Sequence, residues 1–216
     1  MRRLLSPLLA ALLAACASLA GTADPASDAP EGQRIQVGAF KDAASYSQAL
    51  QVWRTAQDVN AWIGAKFHYD RSRAMLLSES QRGRAGPLPI YPAHDFFAAP
   101  SGICVDLSRF AVETLRQIDP DAKANYLMIE FLPVTVDGNT LRLHWLASFT
   151  HDGKYYFFAD SKRPGHIAGP YANAAQFIAE YSVYRNRTVV AFRELDSYQR
   201  KQRTLAPKQR REDRRP

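Results

Sequence analysis

Only two cysteines, Cys16 and Cys104, occur in 216 residues, too few for a disulfide framework. No histidine stands at metal-ligand spacing to another histidine or to a cysteine, so no metal site is expected. The chain has no phosphate loop, no dinucleotide fingerprint and no Gly-x-Ser-x-Gly elbow, which removes the nucleotide-binding and serine-hydrolase classes that depend on them. No internal repeat is visible. Its longest apolar run, Leu4 to Leu13, falls short of the roughly 20 residues that a membrane-spanning helix requires. A basic surface is lacking too, despite a formal net charge of +7. Residues 199–216 hold eight basic side chains against Glu212 and Asp213, and Arg2 and Arg3 add two more charges at the other end. The remainder is close to neutral, so its charge offers nucleic acid no electrostatic footprint.

What is present begins with Met1-Arg2-Arg3 and the apolar run, the layout of an export signal. The run ends in Leu13-Ala14-Ala15-Cys16, which resembles a bacterial lipobox. We therefore expect a signal peptide over 1–15 and lipidation at Cys16. The attached chains would hold the protein at a membrane facing the periplasm. Ala17, rather than Asp, after the cysteine favours the outer membrane. Residues 16–38 are rich in Ala, Gly, Ser, Pro and Asp and read as a flexible tether. Residues 199–216, dense in charge and without aromatics, read as a disordered basic tail, either simply solvated or touching anionic lipid or wall polymer.

A single domain is left over 39–198, with aromatics enough for a core. Leu50, Trp53, Val59, Trp62, Ile63 and Phe67 recur near the helical period, predicting a helix over 45–67. Residues 79–101, with Gly83, Gly86 and four prolines, read as loop. A second helix is predicted over 104–118, with Ser101 as candidate cap and Asp119-Pro120 as its stop. The period then changes to strands over 125–136, 140–150 and 154–160, separated by Asp137-Gly138 and Asp152-Gly153. A short helix near 173–181 and a strand near 188–194 complete an α+β order, helices first and then an antiparallel sheet.

With Cys16 lipidated or removed, Cys104 is the remaining thiol. It opens the predicted helix in Ser101-Gly102-Ile103-Cys104-Val105-Asp106. Helix first turns favour thiolate over thiol and offer N–H groups to an oxyanion. Gly102 would let a substrate backbone come close. The plainer alternative is an inert core cysteine. A thiol nucleophile needs a base, and the base an orienting partner. His144 and Asp160 stand on consecutive predicted strands, and the hairpin register decides whether they meet. A two-residue loop, Asp152-Gly153, would set Trp145 opposite Asp160 and turn His144 to the other side of the sheet. A three-residue loop, His151-Asp152-Gly153, would set His144 opposite Asp160, with Gly153 at the third position where a left-handed residue is wanted. The second register permits a Cys104–His144–Asp160 relay. His151, His68, His94 and His166 fall in turn, helix-end or loop contexts and read as structural or surface residues.

Gly102-x-Cys104-x-Asp106 opening a helix, His144 on a strand, and Gly153-Lys154-Tyr155-Tyr156 leading to Asp160 together resemble the core of the transglutaminase-like superfamily. Val59-Asn60-Ala61-Trp62, Phe67-His68-Tyr69-Asp70 and Asp95-Phe96-Phe97-Ala98-Ala99-Pro100 are similar to the bacterial transglutaminase-like cysteine proteinases. The resemblance covers roughly residues 45–165. It implies a papain-like core, with the nucleophile helix packed on an antiparallel sheet. It also implies roles for Cys104 as nucleophile, His144 as general base and then acid, and Asp160 as orienting carboxylate. The expected activity is that of a cell-envelope thiol protease or amidase acting on an envelope protein or peptide. Amine transfer by the same site, or a catalytically inactive binding lipoprotein, are the alternatives. Ile103 and Val105 replace acidic residues common in the family, which leaves substrate class and any use of calcium open; no other cofactor is implied. Tyr91 and His94 are the nearest candidates for a side-chain oxyanion donor.

Overall fold

The computed structural model describes residues 40–81, 88–162 and 165–199. The expected signal peptide, the lipidation at Cys16, the tether and all but the first residue of the basic tail lie outside the described residues.

Where periodicity predicts one helix there are two, α1 (Tyr46–Val52) and α2 (Ala56–Lys66). The break comes from Thr55, whose hydroxyl accepts the Asp58 N–H while the Asp58 carboxylate accepts the Thr55 N–H. That reciprocal box starts a new helix more favourably than the old one can continue. A two-residue strand β1 (His68–Tyr69) and helix α3 (Arg71–Leu76), capped by Asp70, follow. The predicted loop over 79–101 holds a further short helix, α4 (Ala93–Ala98), which buries Ala93 and Phe96. Strand β2 (Ser101–Gly102) then pairs in parallel with β1 and leads into α5 (Cys104–Ile118), as long as the sequence pattern predicts. Its fully buried Leu107, Phe110 and Leu115 each contribute about 2 kcal/mol of apolar burial. At Asp119 the backbone leaves the helix for one 3-10 turn over Pro120–Ala122.

Strands β3 (Asn125–Val136), β4 (Asn139–His151), β5 (Lys154–Phe158), β6 (Ala168–Tyr171) and β7 (Val189–Leu195) form an antiparallel sheet in the order β6-β5-β4-β3-β7. Helix α6 (Ala174–Arg185) starts at Asn173, whose side chain accepts the Gln176 N–H. The fold is thus α+β, mixed in content with one main antiparallel sheet. Helix α5 packs across β4 on one face, among Tyr126, Met128, Trp145, Ala147, Phe149 and Phe158. On the other face α6 lays Phe177, Ile178 and Tyr181 against Leu127, Ile129, Leu146 and Phe157. Strands β3, β4 and β5 therefore feed two cores with alternate residues, and the face on which a side chain lies is settled by parity.

Candidate functional site

Cys104 is the first residue of α5 and is 5% exposed. It helps to line a cavity of about 330 Å³ with Ala74, Ile90, Leu143, Trp145 and Tyr198, a mainly apolar wall. The turn that presents it is held by Asp106. This buried carboxylate accepts the Arg73 Nε–H at 2.7 Å, the Arg73 Nη2–H at 2.8 Å, the Tyr91 N–H at 3.0 Å and the Ile103 N–H at 3.1 Å. Ser101 is not the cap; the N-cap position is Ile103, and Asp106 reaches back to its N–H. The Arg73 guanidinium also lies 3.8 Å from the Tyr91 ring centroid and donates to the Pro89 carbonyl. Burial works against the Arg73 charge, but its bonds to Asp106 outweigh that and hold its pKa raised.

Gly102 does not open a path for substrate. A Cβ there would come within 3.0 Å of Asp106 and 3.2 Å of Phe96, so the absent side chain makes room for the buried ion pair.

The β4–β5 hairpin has the two-residue loop, not the three-residue one. Its pairs are His151↔Lys154, Thr150↔Tyr155, Phe149↔Tyr156, Ser148↔Phe157 and Ala147↔Phe158. Asp152 (φ 49°) and Gly153 (φ 71°) both occupy the left-handed region, as a tight turn matched to the strand twist demands. The β3–β4 connection repeats the device with Asp137 (φ 49°) and Gly138 (φ 73°). Along β4, Trp145 lies on the α5 face beside the Cys104 cavity. His144, one residue away, points to the α6 face, where its ring stacks on Tyr181 with centroids 5.9 Å apart and lies 6.4 Å from Phe131.

Asp160 nevertheless comes close to His144. It lies past the end of β5, where Ala159 (φ 56°) and Asp160 (φ 81°) turn the chain, and its Oδ2 is 3.7 Å from His144 Nε2. The expected neighbours thus meet, but through a turn beyond the ladder rather than as a facing pair. His144 Nε2 lies 2.9 Å from the Tyr181 hydroxyl and 3.4 Å from the Asp160 carbonyl. Of the three residues expected to form a relay, the fold brings His144 and Asp160 together and leaves Cys104 on the opposite face of the sheet.

The surroundings hold the imidazole neutral. Complete burial pushes its pKa well below the ordinary histidine value; the positive charge of Arg185 adds to this, the hydrogen bond to the Asp160 backbone opposes it, and Arg187 lowers it further. Arg187 lies over the Phe131 ring at 4.3 Å and donates to the Leu132 and Leu141 carbonyls.

The remaining candidates are peripheral. His151 is exposed in its turn, and exposed His94 lies 3.0 Å from the Asp95 carboxylate. Tyr91 packs on Arg73. Among the described residues no group of three or more His, Cys, Asp or Glu side chains is placed to hold a metal ion, and no helix is long and apolar enough to cross a membrane. Sequence reasoning missed Arg73, Tyr181, Arg185, Arg187 and the cavity itself. The two late arginines fall in and after a helix that the pattern ends too early, at 181. No family model matches the chain, and no curated protein matches it.

Proposed function

We propose that this chain is a lipid-anchored envelope protein that keeps a papain-like, transglutaminase-like helix-on-sheet core but binds rather than cleaves. The cavity beside Cys104 takes an apolar group of an envelope protein or peptide. The observation that carries this reading is the placement of Cys104 and His144 on opposite faces of one sheet. Thiol attack on an amide requires a base to take the thiol proton and an acid to give it to the leaving amine. A neutral imidazole across a packed sheet reaches neither, so hydrolysis and amine transfer lack the same step. A cavity of about 330 Å³ with mainly apolar walls lies within the size range of small-ligand sites. Cys104 then acts as part of the wall.

The test uses the full chain and an apolar fluorescent probe whose emission rises on burial. Saturable binding is expected, weakened at least about tenfold by Leu88→Arg at the cavity wall. Turnover of peptide amides that disappears with Cys104→Ala would overturn the reading. A second reading, thiol acyl transfer, is favoured by one observation, the seat of Cys104 in the first turn of α5 facing a cavity. It requires β4 to slip by one residue, exchanging His144 for Trp145 and turning each buried side chain of the strand to the other core.

A further inference from the structure

Two buried side chains in the wall of the Cys104 cavity carry a strong hydrogen-bond donor. Ser78, 3% exposed, gives its hydroxyl to Asn139 Oδ1 at 3.2 Å. Trp145, 7% exposed, has no acceptor for its indole N–H among the described residues. Buried indoles usually find one: Trp53 Nε1–H donates to the Lys41 carbonyl at 2.9 Å. Trp145 Nε1 is not sealed in by protein, and the cavity is the space that Trp145 lines. We propose that this cavity binds an uncharged aliphatic acyl group, whose carbonyl oxygen accepts the Trp145 indole N–H. The proposal rests on the reading that the cavity accepts an apolar group, and it names that group's chemistry.

The rest of the wall fits such a ligand. Leu77, Leu88, Ile90, Ile103 and Leu143 offer a hydrocarbon chain an apolar lining. The charged side chains of the wall are Glu79 and Arg142, and they pair with each other, Arg142 Nε lying 3.2 Å from Glu79 Oε1. An ionised head group would have to break that pair, whereas a neutral carbonyl leaves it intact. The donor is also held in place. The Trp145 ring meets Tyr126 edge-on, with centroids 6.4 Å apart, so little side-chain freedom is lost when the ligand enters. One fixed polar group in an apolar hole orients the ligand, and the chain supplies the burial.

The test uses the full chain with Cys16→Ser, in which Cys104 is the only thiol, and three ligands of matched length: methyl octanoate, N-methyloctanamide and the corresponding alkane. Protection of Cys104 from iodoacetamide reports filling of the cavity, whichever ligand fills it. The indole N–H signal of Trp145, assigned with Trp145→Phe, reports the hydrogen bond. It should move downfield with the ester or the amide and stay in place with the alkane, while the Trp53 signal stays in place throughout. Trp145→Phe should weaken ester or amide binding about fivefold more than alkane binding, the worth of one hydrogen bond. The tighter of the two carbonyl ligands tells a lipid ester from an acylated peptide as the source. Cys104 protected by all three ligands with an unmoved Trp145 signal, or an equal loss for all three in Trp145→Phe, would overturn the proposal and leave the cavity reading intact. Cys104 protected by none of them would remove both.

Discussion

His144 and Trp145 are consecutive in β4 and serve different cores. Trp145 helps to wall the cavity beside Cys104, while the His144 ring stacks on Tyr181 at 5.9 Å on the far side of the sheet. Alternation along the strand puts the two on opposite faces, and the tight Asp152-Gly153 turn sets which β5 residues lie beside each. A consequence follows for each of the buried polar groups on either side.

On the cavity side, Asp106 gathers four N–H donors without solvent contact. Asp106→Ala leaves Arg73 buried and unpaired, and the expected loss of stability is about 3–5 kcal/mol. Denaturant titration measures it, and Asp106→Asn, which retains part of the network, should lose less. A loss below about 1 kcal/mol for Asp106→Ala would show that the pair does not hold the start of α5.

On the other side, the Tyr181 hydroxyl lies 2.9 Å from His144 Nε2 and donates to the Asp160 carbonyl at 3.4 Å. Tyr181→Phe takes away the nearest partner of a buried imidazole at small cost in volume. About 1–3 kcal/mol of stability should go with it, read as a lower denaturation midpoint at unchanged slope. Probe binding in the Cys104 cavity should be unaffected, since the sheet separates the two sites.

The neutral state of His144 makes a pH prediction whose sign is definite. In the unfolded chain the imidazole takes up a proton near pH 6.5. In the folded chain its pKa is well below that, burial being the first cause and the charge of Arg185 the second. As pH falls through about 6.5 the unfolded state binds a proton that the native state does not, so stability declines, by up to about 1.4 kcal/mol per pH unit. Above pH 7 this contribution is fully present. Asp160, Tyr181, Arg185 and Arg187 face the same ring and remain in a His144→Gln variant, which should flatten the slope between pH 6.5 and 5. An unchanged slope in that variant would assign the acid sensitivity to other groups.

Much of this architecture is legible in the sequence, because the strongest local signals decide it. Helix α5 and the long strands fall where periodicity and the Asp-Gly pairs put them, since both turns use the left-handed conformation those pairs favour. The expected single helix over 45–67 divides because Thr55 and Asp58 cap each other, a box hidden in a continuous apolar pattern. The short α4 in the proline-rich stretch is stabilised by tertiary burial of Phe96, which local propensity does not register. The site was the least legible part. Two hairpin registers one residue apart both satisfy the turn chemistry, and they differ in whether Asp160 faces His144 or Trp145. What separates them is the burial of Phe157 and Phe158 of β5 in opposite cores, which a pairwise comparison of His144 and Asp160 leaves out. Their proximity was expected correctly, yet it arises from the turn at Ala159 and Asp160 beyond the ladder.

The central claim is that the Cys104 thiol and the His144 imidazole do not communicate. The most direct measurement is the rate of Cys104 alkylation by iodoacetamide from pH 4 to 9, in the wild-type chain and in folded His144→Gln. The two profiles should superimpose within about twofold, because a thiolate is set by charges and helix ends in its own surroundings. A wild-type profile with an apparent pKa well below about 8.5, lost in His144→Gln, would establish a thiolate–imidazolium pair and contradict it.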